Sequence, residues 1–434
     1  MNANLKIDLQ TLKNAHRKVA VTTVLERNSA LEALMNKLIE RKSEIFLANR
    51  QDLEKAEKEL ISKPLLKRLN FNDEKLKSVI DGIQQIILLP DPKGRILEAR
   101  ELDEGLLLKR ESCSIGVIGM IFESRPDALI QIAALCLKSA NCIVLKGGSE
   151  AAETNRKLTE IISDVSDELN YAAVGSKWIY LLETREQVKK MLELDEYIDL
   201  LIPRGSNEFV KYIMNNTTIP VLGHADGICH SYIHFDADIQ KAVKVVVDSK
   251  CQYPAVCNAL ETLLVHRDIA AQFLPELIPV LETEGVEIRG DEETRALIQC
   301  NPAEELDWKT EYLDLILSIK IVESIDAAIS HIHTYGSGHT DSILTESTQT
   351  AEYFMNTVDS ADVLWNCSTR FADGYRYGLG AEVGISTLKI HARGPVGLDG
   401  LMSYKWKIYG NGHIVADYTG EGSRQFTHKD FTEE

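Results

Sequence analysis

The chain is predicted to be an α/β protein built on parallel sheets, and three observations predict it. Between residues 142 and 227 short apolar runs alternate with amphipathic segments of helix length. Each run ends in a loop rich in glycine, serine or proline: Lys146-Gly147-Gly148-Ser149, Pro203-Arg204-Gly205-Ser206, Gly223-His224-Ala225-Asp226-Gly227. The alternation resumes after Gly227, and a chain of 434 residues is too long for one ordinary core, so two or three domains are expected.

From Ile7 to about Leu89 the pattern is helical, with Leu31, Leu34, Met35, Leu38 and Ile39 recurring along one face. Leu89-Pro90-Asp91-Pro92-Lys93-Gly94 ends it, because prolines lack the donor a helix needs. Residues 96 to 121 read as a β-ribbon leading into a buried strand. Strands follow at Cys142 to Leu145, Trp178 to Leu182, Ile198 to Ile202 and Ile219 to Leu222, with helices at Ala151 to Ile162, Arg185 to Leu194 and Asn207 to Met214.

In the second unit, strands are expected at Tyr232 to Phe235, Thr262 to Val265, Lys320 to Val322 and Ser342 to Leu344. Helices are expected at Ile239 to Ser249, Ile269 to Leu281 and Ser324 to His333. Leu401 to Ile408 and His413 to Val415 look like an extended arm. Ligands of parallel sheets lie at the carboxyl ends of the strands, where the Gly/Ser loops fall.

Composition narrows the function. With 48 basic and 66 acidic residues the net charge is −18, and no Lys/Arg block relieves it, so nucleic acid and anionic membranes are poor partners. The eight cysteines form no C-x-x-C pair and are expected to be reduced thiols. The N-terminus becomes charged at once, and the most apolar helical stretch, Ala128 to Leu137, is too short to span a bilayer, so a cytoplasmic protein is expected.

The segment from Lys250 to His266 places Cys257 where a loop enters buried structure. That suits a positioned nucleophile, although a solitary cysteine is more often a small buried hydrophobe. Lys146-Gly147 and Gly205-Ser206 each end a strand and open a helix, where backbone N–H groups can face a phosphate; Ser206 also suits a plain helix cap. No G-x-G-x-x-G fingerprint accompanies them. Arg370, in Asn366-Cys367-Ser368-Thr369-Arg370-Phe371, has the chemistry of a carboxylate clamp or of a surface ion pair. His331 and His333 are two apart on a predicted helix and point to different faces, so no metal site is expected.

Taken in order, IGMIFESRPDALIQIAALCLKSANCIVLKGGSEA, LIPRGSN, IPVLGHADGIC, YPAVCNALETLLVH, HTYGSGHTDSIL and CSTRFADGYRYGLGAEVGISTLKIHARGPVGLDGL closely resemble the γ-glutamyl phosphate reductase (glutamate-5-semialdehyde dehydrogenase) family of the aldehyde dehydrogenase superfamily. The likeness runs from about residue 10 to residue 415 and is strongest to the reductase half of the pyrroline-5-carboxylate synthases; with no kinase half preceding it, a free-standing form is expected.

The resemblance implies an aldehyde dehydrogenase-like α/β fold of two Rossmann-like domains plus a β-arm. An NADPH-binding domain is expected over 1–99 and 119–222, a catalytic domain over 223–395 and an oligomerisation arm over 100–118 and 396–434. Cys257 is implied as nucleophile; Lys146, Gly147, Gly205, Ser206 and Glu311 as the NADPH/NADP⁺ site; Ser368, Thr369 and Arg370 as the holders of the glutamyl end. Ser124, Arg125 and Asn258 are implied near the oxyanion. The substrate implied is L-glutamyl 5-phosphate, with a homo-oligomer (dimer or higher) and transient contact with glutamate 5-kinase as further expectations. Hydrolytic members of the superfamily carry a water-activating glutamate in E-L-G-G; the matching stretch here is Val221-Leu222-Gly223-His224, which favours a phosphate-linked acyl reaction over release of a free acid.

Overall fold

The computed structural model describes residues 2–61, 63–123, 125–205, 207–223 and 226–431. Five helices, Asn2–Val19, Val24–Glu40, Lys42–Lys58, Lys63–Leu69 and Asp73–Leu88, open the chain. The second starts with a reciprocal cap between Thr23 and Glu26; of the face that the sequence pattern marks it buries Leu31, Leu34 and Leu38, while Met35 is half-buried and Ile39 exposed. The fifth is capped by the Asn72 side chain on the Lys75 N–H and ends beside Pro90.

All of these helices but Lys63–Leu69, whose Leu69 packs with Ala56 and Ala151, share one core with a four-stranded parallel sheet. Its order is Ile179–Leu181, Cys142–Lys146, Val117–Ile121, Leu200–Pro203. Helix Pro126–Lys138 starts with proline at its first position, where no N–H is missed, and is buried along nearly its whole length. The strand expected at Ile219 to Leu222 is not formed: Val221 makes a single parallel bridge to Leu201. Pro220 can offer its neighbour only a carbonyl, which takes the Leu201 N–H at 2.8 Å, so pairing goes no further. Trp178 falls outside its expected strand as well, in a 3₁₀ turn packed edge-on against Tyr171.

The second sheet has seven strands in the order Asn301–Pro302, Glu287–Gly290, Ile316–Val322, Leu260–His266, Cys229–Ile233, Thr340–Leu344, Asp362–Trp365, and its paired strands run parallel. Helices Ile239–Cys251 and Arg267–Thr283 cover one face; Ile325–Tyr335 and Thr348–Thr357 cover the other. Glu287–Gly290, Asn301–Pro302 and Asp362–Trp365 escape sequence reading because they are short and carry charge or proline, and only pairing makes them strands.

Ile96–Asp103, Leu106–Ser114 and Met402–Tyr409 form an antiparallel sheet completed by Lys429–Asp430. The extended run expected at His413 to Val415 is absent. Gly412 turns the chain at φ 79°, the His413 ring contacts the Glu104 carbonyl at 3.1 Å, and Val415–Tyr418 is a 3₁₀ turn. Among the described residues no helix is long and apolar enough to cross a membrane.

Candidate active site

Cys257 lies in the loop between helix Ile239–Cys251 and strand Leu260–His266. A buried ion pair closes the base of this loop: Lys250 Nζ, near the helix end, is 2.6 Å from Glu261 Oε2 on the strand, and both side chains are fully buried. The other Glu261 oxygen accepts the Leu313 N–H at 3.2 Å. Burial raises the Glu261 carboxyl to about 7 although Lys250 opposes the shift. One carboxylate thus ties both flanks of the Cys257 loop to the segment that carries Glu311.

Backbone packing sets the nucleophile's height. A Cβ on Gly227 would lie 2.2 Å from the Cys257 carbonyl oxygen and 2.6 Å from its Cα, so only glycine lets the chain before strand Cys229–Ile233 pass this close. The buried Cys229 thiol donates to the same carbonyl at 3.2 Å. Cys257 is partly exposed. Its thiol is pushed up to about 12 by loss of hydration, then by Glu311 and Glu382, with Arg204 pulling the other way. At neutral pH it is a thiol in wait, not a standing thiolate.

Glu311 accepts from Asn207 Nδ2 at 2.7 Å and from the Gly227 N–H, and Asn207 also donates to Asp226 at 2.8 Å. Burial raises its carboxyl, and these donors oppose the shift. Glu382 takes the Gly374 N–H at 2.8 Å.

Ser368 caps the 3₁₀ turn Thr369–Phe371, and Ser368, Thr369 and Arg370 are buried against helix Ile239–Cys251. The Ser368 hydroxyl accepts from the Arg370 N–H at 3.2 Å and from Ser249 at 3.1 Å. Among the described residues Arg370 makes no ion pair, one of the two roles its chemistry allowed: it is 8% exposed, and its Nε donates to Gln252 Oε1 at 3.0 Å. Asn258 Nδ2 donates to the Ala372 carbonyl at 2.7 Å, while Asn258 Oδ1 and Thr369 Oγ1 are buried without a hydrogen-bond partner among the described residues. Unpaired buried polar atoms cost about 1–3 kcal/mol each, so these two are candidates for hydrogen bonds to a polar ligand.

The other expected residues lie at the ends of the first sheet. Lys146 closes strand Cys142–Lys146, is buried, and donates to the Gly147 carbonyl. A Cβ on Gly147 would be 2.1 Å from Asn155 Nδ2, so any larger residue here requires the Asn155 side chain to move. Gly205 follows strand Leu200–Pro203 and faces Glu123 and Phe209. Arg125 precedes helix Pro126–Lys138. Ser124, Ser206 and His224 lie outside the described residues. His331 is buried and His333 exposed, and the described residues contain no cluster of three or more His, Cys, Asp or Glu that could hold a metal ion.

Sequence reasoning missed Gly227, Asn207, Arg204 and Glu382. Their contacts come from distant segments, and only the glycine in GHADG and the arginine in PRGSN carried any local signal.

Two α/β units, the second of which carries the cysteine loop, make up a dehydrogenase-like fold, and the comparisons name the family. The aldehyde dehydrogenase family model matches residues 8–307. The γ-glutamyl phosphate reductase of Acetivibrio thermocellus is 58% identical over 96% of this chain and 96% of its own, and γ-glutamyl phosphate reductase 1 of Synechocystis is 54% identical over 97% and 98%. The crystal structure of γ-glutamyl phosphate reductase from Thermotoga maritima superposes with a TM-score of 0.92 at 41% identity, covering 94% of this chain and 99% of that one. The chain belongs to the aldehyde dehydrogenase family, in its γ-glutamyl phosphate reductase branch.

Proposed function

We propose that this oxidoreductase converts L-glutamyl 5-phosphate to L-glutamate 5-semialdehyde and phosphate, with NADPH as reductant, in proline biosynthesis from glutamate. The observation that carries this reading is the Cys257 loop, which puts a partly exposed thiol beside a buried polar turn and Glu311.

In the first step the Cys257 sulfur attacks the acyl carbon. The carbon–oxygen bond to phosphate breaks, the thiol proton leaves with the phosphate, and a γ-glutamyl thioester remains on Cys257. The Cys257 N–H and the Asn258 Nδ2 hydrogen not taken by the Ala372 carbonyl stabilise the developing oxyanion, and Arg370 with Ser368 and Thr369 holds the glutamyl end. Val221 in place of a water-activating glutamate leaves the thioester for reduction rather than hydrolysis.

The first sheet fits a nicotinamide dinucleotide. The buried Lys146 ammonium spends one donor on the Gly147 carbonyl, which leaves two for ribose hydroxyls or a 2′-phosphate. Gly205, with Ser206 next to it in sequence, would meet the pyrophosphate, and Glu311 would hold the nicotinamide ribose. The bound cofactor supplies the hydride that, with a proton, converts the thioester to aldehyde and free thiol.

On this reading residues 1–99 and 119–222 hold the cofactor and 223–395 carry the nucleophile. Residues 100–118 and 396–434 form an oligomerisation arm, whose strand Met402–Tyr409 exposes Tyr404, Trp406 and Tyr409 along a free sheet edge.

The test runs the reaction backwards, following NADP⁺ reduction with pyrroline-5-carboxylate, the cyclised semialdehyde, with and without inorganic phosphate. Strict phosphate dependence, lost in Cys257→Ala, is the expected result. Turnover without phosphate would replace the reading with an ordinary aldehyde oxidation.

A further inference from the structure

We propose that Arg125 and Arg204 form the subsite for the phosphoryl group of the acyl phosphate, and for inorganic phosphate in the reverse direction. This rests on the reading of Cys257 as the acyl-accepting thiol. It moves Arg125 from the neighbourhood of the oxyanion to the leaving group.

Strands Val117–Ile121 and Leu200–Pro203 are parallel neighbours with Ile121 opposite Pro203, and the Arg204 N–H donates to the Ile121 carbonyl at 2.6 Å. The loops bearing Arg125 and Arg204 therefore leave the sheet side by side. The Arg204 side chain runs over Gly384, where a Cβ would be 3.9 Å from its Cδ, and its charge acts on both Glu382 and the Cys257 thiol. Arg125 is tied to the same cleft. Arg125 stays exposed at the rim; partial loss of hydration and then the Arg204 charge lower its affinity for a proton, and Tyr253, four residues before Cys257, is among the groups acting on it.

Neither guanidinium has an ion pair or a side-chain hydrogen bond among the described residues, and Asp127, the acid beside Arg125, is 3.5 Å from Lys75. Two adjacent cations with no carboxylate in ion-pair contact repel each other, and a phosphate dianion removes the repulsion while accepting several charge-assisted hydrogen bonds. The need is local. Glu311 and Glu382 both bear on Cys257 and would repel a dianion there unless cations offset them. With Arg370 across the Cys257 loop, the cleft presents cations to both ends of its ligand, which suits a molecule carrying a carboxylate at one end and an acyl phosphate at the other.

The full-length protein is assayed in the reverse direction with phosphate, pyrroline-5-carboxylate and NADP⁺ varied in turn, for Arg125→Met, Arg204→Met and Arg204→Lys. The proposal expects the phosphate KM to rise at least tenfold in each methionine variant while the other two KM values stay within twofold. Arg204→Lys should recover part of the loss because it restores charge without the fork. An unchanged phosphate KM overturns the proposal, and so does a rise in the NADP⁺ KM alone, which would assign the arginines to the cofactor. NADP⁺ binding, followed by tryptophan fluorescence, reports folding; should Arg204→Met not fold, Arg125→Met and Arg204→Lys carry the decision. A wild-type enzyme indifferent to phosphate would instead remove the underlying reading, so the two failures differ.

Discussion

Cys257 was legible in the sequence as a thiol at the mouth of buried structure, but what governs it was not. Its height is set by Gly227, thirty residues earlier, whose missing side chain lets two backbones touch. Gly227→Ala would force that contact apart, because a Cβ at 2.2 Å from a carbonyl oxygen has no flexible neighbour to displace. A shift of about 1 Å at the reacting atom costs on the order of 100-fold in rate. We expect Gly227→Ala to lower kcat by about that factor with only a modest fall in melting temperature; a kcat within threefold of the parent would show that the contact does not position the thiol. Arg204 and Glu382 were missed for a related reason: each reads as a loop charge until the fold brings both to bear on Cys257.

At the level of elements, the helix, loop and strand around Cys257 are held by Lys250 and Glu261, eleven residues apart and buried together. The strand pattern predicted Thr262 to Val265 correctly and stopped just short of Glu261, because a charged residue does not read as strand interior. Removing one partner strands the other charge, which costs about 3–5 kcal/mol, whereas replacing both with apolar residues is often close to neutral. Lys250→Met should therefore lower unfolding free energy in urea by about that amount, and Lys250→Met with Glu261→Leu should recover most of it. A single variant that loses less than about 1 kcal/mol would mean the pair is not closed in solution. The expected fourth strand of the first sheet failed at the same scale, where Pro220 allowed one bridge and no more.

Across the whole molecule, the second sheet buries histidines that no local pattern assigns. His331 packs against Trp308, Tyr335 and His230, the last paired with Asp341 at 3.0 Å, and Lys320 adds its charge. Burial, then His230 and Lys320, drop His331 to about 3. The unfolded chain binds this proton near pH 6.5 and the folded chain only near 3, so the contribution is intact above 6.5 and is lost as pH falls toward 3. The slope from this one group is at most about 1.4 kcal/mol per pH unit. Urea unfolding at pH 7.5 and 5.0 should show a smaller acid loss for His331→Phe than for the parent; equal losses would place the sensitivity elsewhere.

By itself the sequence determined the α/β class, the helical N-terminal region, most strand and helix positions, the thiol and the family motifs around it. These are local or periodic signals, since apolar spacing, glycine at strand ends and proline at helix ends act within a few residues. The tertiary structure alone decided which weak strands pair, which glycine lets a backbone pass the nucleophile, and which loop charges meet at it. Those outcomes depend on contacts between segments far apart in the chain, and no window along the sequence contains both partners.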